Sequence, residues 1–348
     1  MTPAVQELRT HFEAALSDIA SRTLPAERCI ILSGGVDTCA ILAQAKQSGM
    51  QFAAAITVLC GDDSPDKEFA AAAAAEHSIA HVIIKVTPTD LLQEYLPACV
   101  KLLNTFDGMT LRNSLVVAAA MRKAGEMGMK HAVVGDGADE LFGGYSFMWG
   151  MADDLPQWKD KRDKMCRKWT FATTQLAGVH GITVHSPYTE PTFVAWALDK
   201  TTRSDCIGER PIRLTHGGET IMHMTGKVCL REAYETISSW RRKDPIEVGS
   251  GITIIGHDPF WEGLISDEEL EAAKADGLTR GFVLKNKEHL ANFRSFEQAF
   301  GRDGASLPTK SRRPMGEGCV GCRFEIGDNT FCEVCGAYPA QRTAAVAP

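Results

Sequence analysis

The sequence predicts an α/β fold: a parallel sheet with helices on both faces, followed by a mainly helical region and a small C-terminal four-cysteine module. Three observations predict it. Short apolar runs alternate with helical stretches from Arg28 to about residue 134. The loops after three of those runs are polar and glycine-rich. Four cysteines cluster as two C-x2-C pairs near the C-terminus.

Taken in order, residues 1–24 carry acids among apolar positions at helical spacing, with no continuous apolar core. They read as an amphipathic helix rather than a signal peptide. An α/β core is expected over 25–150. "CIIL" (29–32) is its first strand, followed by a helix near 36–48, then "FAAAITVL" (52–59) and an alanine-rich helix over 66–77. Next come "HVIIKV" (81–86), helices across 88–103 and 112–127, and "HAVV" (131–134). Four apolar strands joined by helical crossovers indicate a parallel sheet covered on both sides. Ligands of such sheets sit outside the carboxyl ends of the strands. A mainly helical part is expected over 151–300, a Gly/Pro/basic linker over 301–318, and the cysteine module with a tail over 319–348.

With 348 residues, 44% of them hydrophobic, the chain can bury a full core. A net charge of −7 argues against a general nucleic-acid or membrane-surface binder. The basic clusters at 159–168 and 310–313 read as solvated faces. No stretch approaches the roughly 20 apolar residues of a membrane span. Seven of the eleven cysteines are scattered singly through apolar segments, where they act as small hydrophobes, so a reducing cytoplasm is the expected compartment.

"SGGVDT" (33–38) follows the first strand. Two glycines permit a tight turn that exposes N–H groups, and the next helix points its positive end there. Ser33 and Thr38 add hydroxyls. Asp37 would be repelled by bare phosphate, which suggests a bridging Mg²⁺. "GDGADELFGGY" (135–145) ends the fourth strand with three acids in five residues, a charge density that a cation would relieve.

Together these motifs resemble the synthetase domain of asparagine synthetase and β-lactam synthetase, among the ATP pyrophosphatases with an SGGxD[ST] loop. The resemblance continues in order through "NTFDGMTLRNS" (104–114), "HSPYTEPTFVAWAL" (185–198) and "GKVCLREAYETISSWRRKDPIEVGSG" (226–251), covering about residues 25–255. It implies an adenine nucleotide alpha hydrolase-like, HUP-type core and ATP cleavage that transfers AMP to a carboxylate, with pyrophosphate released and an amide formed by ammonia or an amine. In that case Ser33, Gly34, Gly35 and Thr38 hold the pyrophosphate, and Asp37 and Asp139 carry Mg²⁺. Lys243 occupies the catalytic lysine position, and Lys227 is a weaker candidate for a phosphate contact. Leu32, Val58 and Gly135 line up with positions that embrace adenosine, mostly through backbone. Arg231 is either a phosphate contact or structural.

Two departures qualify the resemblance. Only 32 residues precede the phosphate loop, so no glutaminase domain is expected ahead of it. Nitrogen is then expected from ammonia, a substrate amine or a separate donor protein. The family's Glu-x-Arg before Pro-Phe is replaced by Thr183-Val184-His185, so the acceptor need not resemble aspartate. His185, titrating near neutrality, is a candidate base or a hydrogen-bonded loop residue. Asp136 is a second candidate for contact with the reacting groups.

Cys319, Cys322, Cys332 and Cys335 form C-x2-C-x9-C-x2-C, a spacing suited first to zinc, with an iron–sulfur cluster or paired disulfides as alternatives. Four thiolates leave no open position, so a structural role is expected. "FEIGDNTF" (324–331) reads as a hairpin between the pairs. The module is expected to cap a site mouth, mediate a homodimer or recruit a donor. A competing function is adenylation of a nucleobase or tRNA carbonyl for sulfur transfer, with Cys39, Cys60 or Cys99 carrying persulfide.

Overall fold

The computed structural model describes residues 2–151, 155–214 and 218–341. They divide into two compact units, one from residues up to 85 together with 120–251, the other from 86–119 together with 252 onward.

In the first unit, β1 (Arg28–Ile31), β2 (Ala54–Cys60), β3 (His81–Val86), β4 (His131–Val133) and β5 (Thr183–His185) form one sheet in the order β3-β2-β1-β4-β5. β1 pairs in parallel with β2 and β4, and β4 with β5. Every position of β2 is buried. Because successive residues face opposite sides, that strand must be covered on both faces. β3 alternates half-buried with exposed positions, as an edge strand does. The chain runs outward from β1 to β2 and β3 and returns to β4 on the other side of β1. This reversal opens a crevice between the carboxyl ends of β1 and β4.

Helix α1 (Pro3–Arg22) starts at Thr2, whose hydroxyl accepts from the Val5 N–H, and buries Val5, Leu8, Phe12, Leu16 and Ile19 along one stripe. The Phe12 ring lies 5.0 Å from Tyr188 and 5.5 Å from both Phe193 and Tyr234. Helix α2 (Val36–Ser48) leads away from β1 and stops at Gly49, φ +73°. Helix α3 (Asp66–Glu76) buries Ala70, Ala73 and Ala74, small residues that let it lie close to its neighbours.

Two features of this unit differ from the expected pattern. The sheet has five strands, not four: Thr183–His185, expected as loop, is β5. The region after residue 150 is mainly helical but holds an antiparallel ribbon, β6 (Gly208–Arg213) and β7 (Thr220–Thr225).

The second unit contains α4 (Pro88–Leu103), the first part of α5 (Gly108–Glu126) and the cysteine module. α5 starts four residues before the expected position because Asp107 caps it, accepting from the Thr110 N–H (2.9 Å) and hydroxyl (2.7 Å). Arg112 forks onto Glu288 at 2.8 and 2.6 Å. Phe106, Phe282, Phe293, Phe296 and Phe324 supply an aromatic core. The expected 324–331 hairpin is absent. Phe324 bridges instead to Arg312, and the Arg313 and Glu325 N–H groups bond Arg323 and Ser311 carbonyls, so the segment before the cysteines supplies the pairing strand.

No helix among the described residues is long and apolar enough to cross a membrane.

Candidate active site

The turn after β1 is built around Gly34, which adopts φ +70°. A Cβ there would stand 2.6 Å from the Ala70 nitrogen and 2.7 Å from Phe69 Cβ, so only glycine fits. Gly35 caps α2 and donates its N–H to Ser33 Oγ at 3.2 Å, while Thr38 Oγ1 donates to the Gly35 carbonyl at 3.4 Å. The positive end of a 13-residue helix therefore opens at this turn.

Asp37, in the first turn of α2, and Asp139, in α6 (Ala138–Phe142), converge across the crevice. Two lysines from a later part of the chain meet them. Lys227, only 1% exposed, holds both Asp37 oxygens at 2.6 and 2.7 Å and Asp139 Oδ1 at 3.0 Å. Lys243 reaches Asp139 Oδ1 at 2.9 Å and lies 5.2 Å above the Tyr145 ring. Close approach is possible because residue 144 is glycine: a Cβ there would sit 1.7 Å from Asp139 Oδ1 and 2.6 Å from Lys227 Cε.

Burial pushes the Asp37 carboxyl up against the pull of Lys227. For Asp139 burial acts in the same direction, but Lys227 and Lys243 together outweigh it and hold the group down at about 2. Burial pulls Lys227 down, and the two aspartates more than compensate. The cluster thus keeps two negative and two positive charges together, with Asp37 paired to Lys227 and Asp139 shared between Lys227 and Lys243.

The other expected site residues fall in different places. Leu32 and Val58 are buried at the ends of β1 and β2. The Leu32 N–H bonds the Ile56 carbonyl, and its own carbonyl accepts from Thr57 Oγ1 at 2.6 Å, so both backbone groups are engaged within the sheet. Gly135 touches the crevice, since a Cβ on it would meet Asp37 Cβ at 2.9 Å. Asp136 is half-buried beside them, with its carboxyl pushed up to about 6 by burial against a hydrogen bond from Thr173.

His185 does not join the cluster. It is the last residue of β5, not a loop residue, and its Nε2 lies 3.1 Å from His131 Nδ1. Burial, with His131, Arg22 and Arg28 nearby, pushes it down to about 4. Arg231 Nε donates to the Gly226 carbonyl and Nη1 to those of Ser239 and Arg241. Cys39, Cys60 and Cys99 are buried, and burial pushes the Cys39 and Cys99 thiols up to about 12, away from thiolate chemistry.

Arg241 is the arginine of the Arg-x-Lys within "WRRK", to which the sequence alone assigns no role. It is 4% exposed, stacks 4.0 Å from the Phe69 ring, and its Nη2 pairs with Asp66 at 2.9 Å and Asp244 at 3.1 Å. Its position two residues before Lys243 was the available signal.

The carboxylates of Asp37 and Asp139 approach closely enough for one ammonium to touch both, and such an oxygen pair fits a small dication. Lys227 competes for the same oxygens. The four module cysteines are buried, their ligand atoms lie within 4.8 Å of one another, and the Cys319–Cys335 and Cys322–Cys332 sulfur pairs are 3.6 Å apart. A tetrahedron of zinc–sulfur bonds near 2.3 Å has edges of about 3.8 Å, so the set fits zinc.

Residues 11–178 match the asparagine synthase family. Over those residues the chain is similar to an asparagine synthase domain. The match includes both acid-bearing turns, while Lys227, Lys243 and the cysteine module lie beyond it. The chain is 27% identical over 194 residues to a probable glutamine-hydrolyzing asparagine synthetase of Dictyostelium discoideum, covering 50% of this chain and 32% of that protein. It is 26% identical over 211 residues to glutamine-hydrolyzing asparagine synthetase 2 of Oryza sativa subsp. japonica (55% and 34%). Against asparagine synthetase B of Escherichia coli K12 it is 27% identical over 183 residues (49% and 30%). The chain spans about a third of the length of these curated relatives.

Proposed function

We propose that this chain is an ATP-dependent, AMP- and pyrophosphate-forming ligase. It activates a small-molecule carboxylate as the adenylate and joins it to ammonia or an amine as an amide. The observation that carries this reading is the convergence of Asp37, Asp139, Lys227 and Lys243 beside the Gly34-Gly35 turn, at the reversal point of the sheet.

In this reading the β- and γ-phosphates lie on the turn, taken by N–H groups of Gly35 and α2 and by the Ser33 and Thr38 hydroxyls. Asp37 and Asp139 would hold Mg²⁺, which supplies charge neutralisation for the leaving pyrophosphate. Lys243 stabilises the α-phosphoryl oxygens as negative charge builds there, and Lys227 either follows the phosphates or returns to the aspartates when they leave. The amine nitrogen then attacks the acyl carbon, forming the C–N bond as the acyl–oxygen bond breaks and AMP leaves. Asp136, with its carboxyl raised to about 6, is suited to take the amine's proton near neutral pH. Zinc on the four thiolates has a structural role, because no ligand position remains open.

The test is incubation with ATP, Mg²⁺ and a panel of carboxylates with ammonium or amines, following AMP and pyrophosphate. Release of ADP and phosphate instead would rule out adenylate chemistry.

A further inference from the structure

The carbonyl of Gly34 points away from the turn and is held by two donors from one distant segment. Ser238 Oγ donates to it at 2.5 Å and Arg241 Nη1 at 3.2 Å. Both donors are nearly inaccessible, Ser238 at 1% and Arg241 at 4% exposure. Arg241 is itself fixed by Asp66 at the start of α3, by Asp244 and by the Phe69 ring.

The Gly34 carbonyl and the Gly35 N–H belong to one planar trans peptide and so point in opposite directions. Pinning the carbonyl outward therefore aims the N–H inward, where it now rests on Ser33 Oγ. At a residue with φ +70° and no side chain, this peptide can flip at small cost. A flipped peptide would turn a carbonyl oxygen toward bound phosphate and repel it. We infer that Ser238 and Arg241 are positioning residues that lock the Gly34–Gly35 peptide in its anion-accepting orientation. The inference rests on the reading of the turn as the seat of the ATP β- and γ-phosphates.

Calorimetric titration of the full chain with MgATP and with AMP, which lacks those phosphates, tests it. Ser238→Ala and Arg241→Lys are each expected to weaken MgATP binding about tenfold, the effect of one lost hydrogen bond to a polar group, while AMP binding is unchanged. Equal losses for both ligands, or no loss for either, overturn the lock and leave the nucleotide site standing. If the wild-type chain binds neither ligand, the site reading fails and the lock with it. Hydrogen exchange on the wild-type chain gives a readout independent of any variant's folding. Exchange at the Gly35 amide should slow at least tenfold with MgATP and not with AMP, and an unchanged rate also overturns the proposal.

Discussion

Lys227 grips both oxygens of Asp37, at 2.6 and 2.7 Å, from a position 190 residues later in the chain. With 1% of Lys227 exposed, this ion pair sits where replacing the lysine strands Asp37 and leaves Asp139 with Lys243 alone. Lys227→Met should therefore cost about 3 kcal/mol of stability at low Mg²⁺. Millimolar Mg²⁺ should return part of it, since the freed oxygens are the ones a dication would use. Denaturant titrations with and without Mg²⁺ measure both effects, and a variant as stable as wild type would contradict the burial argument.

Asp37→Asn and Asp139→Asn remove one charge each without changing shape. AMP formation should fall by at least about 100-fold in either variant, while the circular dichroism spectrum is retained. Turnover within a few-fold of wild type would take these aspartates out of the reacting site.

Asp136 and His185 make opposite predictions about pH. Burial raises Asp136 to about 6 and lowers His185 to about 4. Amide formation should thus rise through pH 6, and the rise should be lost in Asp136→Asn and kept in His185→Gln. Stability follows the same shift. Asp136 binds its proton more tightly in the folded state than in the unfolded state, where its value is about 3.9. Its contribution therefore falls as pH rises between roughly 4 and 6. Asp136→Asn should be more stable than wild type by about 1–2 kcal/mol above pH 6, after discounting for partial exposure, and equal to it below pH 4. Asp66, also raised to about 6 by burial despite Arg241, adds a parallel slope that persists in this variant.

The parts legible in the sequence were those written in local pattern. The apolar runs of β1, β2 and β4 and the two glycine turns stand out because burial on both faces and left-handed backbone each demand particular residue types. β5 escaped notice because three residues with exposed, half-buried and buried positions carry no periodicity, and its partner β4 precedes it by some fifty residues. In β6, Pro211 and three charged residues within "GERPIR" hid a strand whose alternation shows only once Ile212 is known to be buried. The Arg241 clamp was invisible for another reason. Its partners Gly34, Asp66 and Phe69 precede it by more than 170 residues, and nothing in "WRRK" says which basic residue turns inward.

The cysteine module makes the last prediction. Four consecutive carbonyls of its second pair, from Glu333 to Gly336, accept hydrogen bonds from Thr105 Oγ1, the Phe106 N–H, the His289 ring and Lys285 Nζ. Those carbonyls are displayed in a row only while the turn between Cys332 and Cys335 is closed, and four thiols packed together without a metal would not hold it closed. Chelation, or Cys332→Ser, should then release the 105–107 segment together with the Asp107 cap on α5. Amide exchange at Phe106 should accelerate by about 100-fold or more, while the Leu32 amide, bonded to Ile56 within the sheet, stays protected. Zinc content measured on the same samples ties the change to the metal. Protection at Phe106 that survives complete metal removal would show that the aromatic core alone holds the segment, and would leave the thiolates without a structural purpose there.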